Sequence, residues 1–395
     1  MSRSLGARLS WIAALAFASG FPFGLVNEAL PVYLRAQGAG LVDVGRVAAI
    51  TWPWSLKFLW SPLVDRLGSR RQWIAACLAG LSVLTLLLVH IDPGHLGSAF
   101  WLLAMAIVTL SATQDIAIDA YTIEITSTKE LGVANSVRIA SYRVAMFTAG
   151  GLLIWLAGRA DWTTSFTTGT ALLVGLTVAA LLMPSPEGAG ERPRAVWEPL
   201  RALLGRENIW AVVAFALLFK LDIAALEPMT RPFWIDRGFS LTEIGAVLTT
   251  GRILATLAGA ALGGVLASWW GIFRGLWVLG LVQALSSLGY WAVASSAPSK
   301  TLILGAALFE NFAAGLGTAA YLAFLMSICE KRYAATQFAL LSALLAITRA
   351  VAGEFSGGLA ERLGYGQYFL LTFFMGIPAY FLLPWIRGAS RTETA

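Results

Sequence analysis

The sequence predicts an all-α membrane protein whose twelve transmembrane helices form two pseudo-symmetric six-helix bundles. Three observations predict it: an apolar composition, apolar segments as long as a bilayer crossing, and a repeat relating the two halves. Of the 395 residues, 58% are hydrophobic and 13% charged, with a mean hydropathy of +0.73. A soluble domain carries about 25% charged residues, so lipid rather than water is the expected surrounding.

A bilayer core takes about 20 apolar residues per helix. Segments of that kind lie near 9–34, 42–64, 73–90, 98–124, 131–158, 163–183, 208–235, 241–267, 274–294, 301–328, 333–360 and 365–386. The opening MSRSLGARLSWIAALAFASG has the basic start and apolar core of a signal peptide. It is read instead as the first transmembrane helix, because further spans follow it. The polar stretch PSPEGAGERPRAVWEPLRALLGRE, 184–207, parts six spans from six. It is expected to be a cytoplasmic linker between a bundle of 1–183 and one of 208–395.

Orientation follows from lysine and arginine outside the spans. With the N-terminus inside, the inner loops collect fifteen, including Arg66, Arg70, Arg71, Arg192 and Arg201, against five outside, Arg35, Arg159, Arg237, Lys300 and Arg362. Both termini are therefore expected in the cytoplasm. The net charge of +6 reflects this topology, and no basic tail or aromatic-interleaved patch points to nucleic acid.

The halves match at an offset of 200. LPVYLRAQGAGLVDVG at 30–45 aligns with TRPFWIDRGFSLTEIG at 230–245, pairing Gly38 with Gly238, Leu41 with Leu241 and Gly45 with Gly245. Tyr121 then meets Tyr321 and Glu130 meets Glu330. With small insertions, Arg143 and Gly150-Gly151-Leu152 correspond to Arg349 and Gly357-Gly358-Leu359. Duplicated units that hold substrate at the interface of the repeats are how many secondary transporters are built.

The charges inside the spans carry the functional argument. The cations are Arg46, Lys57, Arg138, Arg143, Lys220, Arg231, Arg252 and Arg349, of which Arg46 and Arg231 sit where they could snorkel to a helix end. The acids are Glu28, Asp115, Asp119, Asp222, Glu227, Glu310 and Glu354. Each costs about 2.5–3.5 kcal/mol at the centre of an inserted helix, so they must face one another or water. Spans 1, 4, 7 and 10, the first of each three-helix unit, hold Glu28, then Asp115 and Asp119, then Lys220, Asp222 and Glu227, then Glu310 with Asn311. These, with Lys57, are the candidate proton-coupling or substrate-cavity residues.

Asp115 and Asp119, four apart in TLSATQDIAIDAYTIEI, share one helix face. Two roles stay open: a proton or cation site, or an ion pair with Arg138, Arg143 or the basic loop after span 2. Asp119, nearer the cytoplasmic end, is the candidate gating partner. Lys57, in WPWSLKFLW, is either an anion ligand or a partner for Glu354 or Asp115. Asp65, Arg66, Arg70, Arg71, Arg138, Arg143, Arg252, Arg349 and Glu354 are the candidates for gating or for bracing the two bundles. Breaks are expected at SGFPFG in span 1 and at EPMTRP in span 7, because freed backbone is tolerated where it lines a cavity. The glycine pairs 150/151, 263/264 and 357/358 suit close packing, and Trp52, Trp54 and Trp60 suit interface anchors.

Other chemistries lack parts. His90 and His95 share one short loop, and Cys77 and Cys329 have no CxxC spacing, so no metal site or disulfide framework is expected. No GxxxxGK[ST] loop is present, and no nucleophile–base pair or cofactor motif argues for an integral membrane enzyme. A sensor that no longer transports is the remaining alternative.

SPLVDRLGSRRQ, Ser61 to Gln72, resembles the loop between spans 2 and 3 of the major facilitator superfamily, with Ser61 standing where its pattern usually begins with glycine. FASGFPFG with LKFLWSPLVDR, ATQDIAIDAY with SYRVAMFTAGGLLIWLA, and RYAATQFALLSALLAITRAVAGEFSGGLAERLGY resemble the muropeptide permease and acetyl-CoA transporter branch, which includes siderophore permeases. The resemblance covers almost the whole chain. It implies a proton-driven importer of the bacterial inner membrane working by alternating access, with Asp115 and Asp119 on the family's aspartate motif and Lys57 on its KFLW motif. The partners it implies are a small-molecule substrate, protons and the bilayer, for a monomer without a cofactor. An amphipathic, partly anionic solute such as a cell-wall muropeptide leads, with a siderophore next. Muropeptide permeases often carry two further spans, and FGLVNEALPVYLR resembles shorter relatives linked to siderophore uptake.

Overall fold

The computed structural model describes residues 5–91, 96–126, 131–184, 203, 205, 208–297, 299–328 and 334–389. Among these there is no strand. The helices in chain order are α1 (Leu5–Gly24), α2 (Leu30–Ala36), α3 (Leu41–Ala49), α4 (Trp52–Leu56), α5 (Ser61–Arg66), α6 (Arg70–Leu87), α7 (Ser98–Ile125), α8 (Leu131–Phe147), α9 (Leu153–Arg159), α10 (Trp162–Leu182), α11 (Ile209–Leu218), α12 (Leu221–Asp236), α13 (Leu241–Glu243), α14 (Thr250–Trp270), α15 (Ile272–Ser295), α16 (Lys300–Ser327), α17 (Ala334–Gly376) and α18 (Pro378–Ala389). Most of 184–207, together with Lys129, Glu130, His95, Cys329 and Glu330, lies outside the described residues.

Among the described residues ten helical stretches are long and apolar enough to cross a bilayer, and two local causes account for the difference from twelve. The stretch 343–387 runs two expected spans together, yet Gly364, at φ +72°, breaks the helix between them. The segment expected as span 2 is divided into α3, α4 and α5, with a proline in the first turn of α4 and of α5. A proline cannot donate to the preceding turn, so the helix restarts there. The stretch weighed as a leader is α1, whose Ile12, Leu15 and Phe21 are buried.

Two compact units are distinguished. One comprises Met1–Ala39, Ile50–Arg192 and Ser240–Thr249; the other comprises Gly40–Ala49, Pro193–Phe239 and Thr250–Ala395. Each thus contains a short segment from the opposite half of the sequence.

In the N-terminal unit α1 packs on α8, and α6 lies between α7 and α10. Its exchanged segment meets α9 and the turn before it. A Cβ on Gly245 would come within 2.5 Å of the Gly151 carbonyl and 2.6 Å of the Trp155 nitrogen, and one on Gly158 within 2.8 Å of the Thr242 nitrogen. Three π-turns, Leu25–Ala29, Thr148–Leu152 and Ile244–Thr249, meet in this unit. Such turns concentrate at functional sites.

In the C-terminal unit α14 and α15 pack on α16, and α12 packs on α17. A core of Phe215, Phe219, Tyr321 and Phe324 includes Phe219 stacked on Tyr321 with ring centroids 5.6 Å apart. The exchanged α3 lies on α17, where a Cβ on Gly45 would fall 2.8 Å from the Gly353 carbonyl and 2.9 Å from the Gly357 nitrogen. Between α14 and α16, Gly263 leaves room for Leu316, while Gly264 and Gly358 face nothing within 4 Å. The 263/264 and 357/358 pairs therefore each pack through one glycine. Lipid tails are as apolar as leucine, so close approach of small residues replaces the hydrophobic drive between helices.

The repeat is realised down to its turns. Gly38 at φ +91° and Gly238 at φ +79° end α2 and α12. In each case the next residue reaches back five positions, Ala39 to the Leu34 carbonyl and Phe239 to the Trp234 carbonyl, both at 3.0 Å. This is the left-handed glycine cap that satisfies the last carbonyls of a helix.

Candidate functional site

The N-terminal unit brings the predicted acid pair to one face of α7 and answers it with two cations. Lys57 Nζ lies 3.8 Å from Asp115 Oδ2 and 3.5 Å from Asp119 Oδ2. Arg138 donates to Asp119 Oδ1. Ser19 of α1 donates to Asp115 Oδ1 at 2.6 Å. Of the two alternatives for Lys57, the structure selects Asp115 and adds Asp119. The cation position is fixed by the break at α4, because Lys57 follows directly on that five-residue helix.

The indoles beside it are tied to α7. Trp54 Nε1 donates to Ser111 at 3.2 Å and Trp60 Nε1 to Thr113 at 3.1 Å. Phe23 lies between Trp54, at 4.9 Å between ring centroids, and Tyr142, at 5.9 Å. An aromatic wall thus borders the acid pair.

Glu28 is buried in the first π-turn, where a Cβ on Gly150 would lie 2.5 Å from the Glu28 Cβ. Arg143 is exposed and donates to the Met146 sulfur at 3.8 Å, away from both aspartates. At the end of α7, Arg70 holds Glu124 at 3.1 Å, and Arg71 reaches the Met183 carbonyl at 3.5 Å. Asp65 and Arg66 end α5, and their side chains lie outside the described residues.

The C-terminal unit contains two linked clusters. In the first, Lys220 donates to Gln283 Oε1 and, at 2.8 Å, to Thr318. Gln283 Nε2 donates onward to both Asp222 oxygens at 3.1 and 3.2 Å. Lys220, Gln283 and Asp222 are buried. The break expected at EPMTRP falls elsewhere: α12 runs through Pro228 and Pro232, and the interruption is at Phe219–Lys220. The prolines are accommodated because neighbouring side chains serve the backbone, with Ser356 and Tyr368 both donating to the Ala225 carbonyl. The earlier break leaves the Phe219 carbonyl 3.4 Å from Gln283 Nε2.

In the second cluster one carboxylate faces three guanidiniums. Glu227 Oε1 lies 3.5 Å from Arg252 and 3.7 Å from Arg231, and Oε2 lies 3.6 Å from Arg349. Arg252 Nε also donates to Asn311 Oδ1 at 3.2 Å, and Asn311 donates to Glu310 Oε2 at 2.7 Å. Arg231 is therefore a buried member of the cluster and does not snorkel. Arg46, half exposed, pairs with Asp43 at 3.4 Å and meets Glu354 at 3.9 Å.

Residues 12–353 match the Major Facilitator Superfamily. The chain belongs to this superfamily. It is 34% identical to the anhydromuropeptide permease of Escherichia coli K12 over 389 residues, which are 95% of this chain and 79% of that relative. It is 28% identical to a protein of Rickettsia conorii named "Putative transporter AmpG 4" over 398 residues, 96% of each chain. Among solved structures, a bacterial homologue of the human lysosomal transporter Spinster superposes with a TM-score of 0.79 at 16% identity, covering 98% of this chain and 97% of the other. The nucleoside transporter NupG superposes with 0.72 at 12% identity, covering 97% of this chain and 99% of the other. The facilitator fold is thereby shown, and with the superfamily match and a relative named as a permease at 34% identity, this is a multi-pass membrane transporter and not an enzyme.

Sequence patterning missed three members of this facilitator's clusters. Ser19, Gln283 and Thr318 stand as single polar residues in apolar runs, and an uncharged side chain in a span raises no alarm. A lone glutamine in LVQALSS was the available signal, since an amide in hydrocarbon needs a partner. Among the described residues no group of His, Cys, Asp and Glu could hold a metal ion.

Proposed function

We propose that the chain is a proton-coupled importer of cell-wall muropeptide fragments, amphipathic and partly anionic, working by alternating access in the bacterial inner membrane. The two repeats are taken as bundles 1–183 and 208–395, joined by a cytoplasmic linker at 184–207, with both termini inside and the monomer as the working unit. The observation that carries this reading is the Asp115–Lys57–Asp119 cluster on α7, a set of charges too costly to keep among apolar helices without a task. Support for the solute comes from the E. coli relative, named as an anhydromuropeptide permease.

Asp115 is the proton carrier in this scheme. It is held by one cation and one hydroxyl, so its proton can be exchanged as Lys57 moves between the two aspartates. Asp119, bound by Arg138, and Glu124, bound by Arg70, serve the gate. Lys220, Asp222, Glu310 and Asn311 set the polarity of the C-terminal repeat.

The test is uptake into proteoliposomes under an imposed inward proton gradient, with an anhydromuropeptide and a ferri-siderophore offered in parallel. The expected result is gradient-dependent accumulation of the muropeptide that Asp115→Asn abolishes while solute exchange without a gradient persists. Accumulation of the siderophore alone would replace the solute. Undiminished accumulation in Asp115→Asn would remove Asp115 as the carrier, and a sodium gradient serving equally well would replace the coupling ion.

A further inference from the structure

The turn between α14 and α15 is cationic and has no acid of its own. Between Glu243 and Glu310 the sequence contains no Asp or Glu, and α18 has none either. Arg274, exposed in the first turn of α15, takes part in no ion pair among the described residues. The corresponding turn of the first half, at an offset of 200, is built differently. There Arg70 is held by Glu124 at 3.1 Å and Arg71 reaches the Met183 carbonyl at 3.5 Å. Those charges are answered within the unit, whereas Arg274 stands where the first half has Ile74. An arginine at the start of a membrane helix carries its charge to the headgroup level.

A cavity of about 700 Å³ opens at this turn. Trp270, Ile272 and Phe273 line it together with Arg274 and, from the last turn of α18, Arg387. Gly264 and Gly271 also line it, and a Cβ on either would meet nothing within 4 Å. Here α14 and α18 end and α15 begins, so the cavity lies at one rim of the C-terminal unit. Trp269, Trp270, Trp277 and Trp385 are all exposed at this rim, and indoles collect at the depth of lipid headgroups. From the rim an apolar strip descends along α15, where the exposed Trp277, Val278, Leu281 and Leu285 share one helix face. The cavity thus joins a cationic rim to an apolar wall.

We propose that this cavity seats an anionic phospholipid, with its phosphate at Arg274 and its acyl chains along the exposed face of α15. The guanidinium fork matches two phosphate oxygens at once. Arg274 carries the assignment, and Arg387 lines the same wall. No carboxylate is among the residues that line the cavity, so the cation of a zwitterionic headgroup finds no partner there. A soluble phosphate would use the arginine and leave the apolar wall uncovered. Rim and wall together select a lipid with net negative charge. The proposal needs only the membrane setting and is independent of the solute and the coupling ion.

The test titrates phosphatidylglycerol and phosphatidylcholine of identical acyl chains into the purified full chain in detergent, followed by melting temperature. Wild type is expected to prefer phosphatidylglycerol by about 10-fold, the scale of one to two arginines near an anionic surface. Arg274 is exposed, so its replacement leaves the packing intact. Arg274→Gln is expected to cut the preference about 5-fold, one arginine's share, and Arg274→Lys to cut it less. Arg362→Gln removes the same charge from the exposed surface of α17 and is expected to leave the preference unchanged. Gly264→Phe fills the open side of the cavity with every charge kept, and is expected to weaken phosphatidylglycerol binding. Equal affinity for the two lipids in wild type, or a full preference in Arg274→Gln, would overturn the site. So would equal losses in Arg274→Gln and Arg362→Gln, which would reduce the effect to general surface charge. Glycerophosphoglycerol, the headgroup without its chains, is expected not to compete at the lipid's concentration; displacement by it would replace the lipid with a soluble phosphate compound.

Discussion

The two units solve the problem of charge among apolar helices in opposite ways. In the N-terminal unit two carboxylates, Asp115 and Asp119, meet two cations, Lys57 and Arg138, and the set is balanced. In the C-terminal unit three guanidiniums share Glu227, while Lys220 and Asp222 are kept apart by the amide of Gln283. A balanced set can hand one proton in or out and remain near neutrality, which suits coupling. Repeats with the same helices thus carry different sets of charges.

Substitutions can break this contrast. The largest effect is expected from Glu227→Gln, which leaves three guanidiniums without their carboxylate. Breaking a buried pair costs about 3–5 kcal/mol, and partial exposure places this change near about 3 kcal/mol. Melting in detergent should show the loss, and a melting temperature equal to wild type would contradict a shared counter-charge. Next comes Lys57→Met, expected to cost about 1–2 kcal/mol, because the lysine is one-third exposed. Adding Asp119→Asn should recover stability by restoring balance; a double variant less stable than the single one would show that the N-terminal set is not a charge-balanced unit.

The equivalence of the repeats can be sharpened by paired changes. Gly45→Leu and Gly245→Leu fill the two glycine-floored crossings, and overpacking of this kind costs about 1–3 kcal/mol. Both should lower stability and folded yield by similar amounts, and a large effect at one alone would deny the equivalence. Gly38→Ala and Gly238→Ala force a Cβ onto left-handed backbone at about 1 kcal/mol each, readable as matched small shifts in melting temperature. The smallest expected effect lies outside the spans. Asp161 caps α10, and the hydrogen bond from the Thr164 nitrogen, 2.6 Å away, lowers its carboxyl below the usual range. A depressed carboxyl contributes stability above its unfolded value and loses it as pH falls through the folded one. The difference between wild type and Asp161→Asn should therefore be present at neutral pH and vanish in strong acid.

Individual residues show how far the sequence was legible. Asp115, Asp119 and Lys57 could be singled out, because a charge in an apolar run is costly wherever it sits. Which cation served which acid could not, since Lys57 follows a break that places it against α7 from a different helix. Arg231 looked free to snorkel near a helix end and is buried against Glu227. The position of the break in span 7 was misplaced for a similar reason: Pro228 and Pro232 disrupt a helix only if no neighbour serves the freed backbone.

By itself the sequence determined the membrane class, the number and length of apolar segments, the internal repeat and the identity of the costly charges. Each of these follows from local properties, hydropathy along the chain or the cost of ionising a side chain in lipid. Only the tertiary structure decided that α3 and residues 240–249 join the unit of the opposite half, that Gln283 bridges Lys220 and Asp222, and that three arginines meet on Glu227. Those arrangements depend on helices far apart in sequence approaching through glycine-lined faces, and no spacing rule along one chain encodes which face meets which.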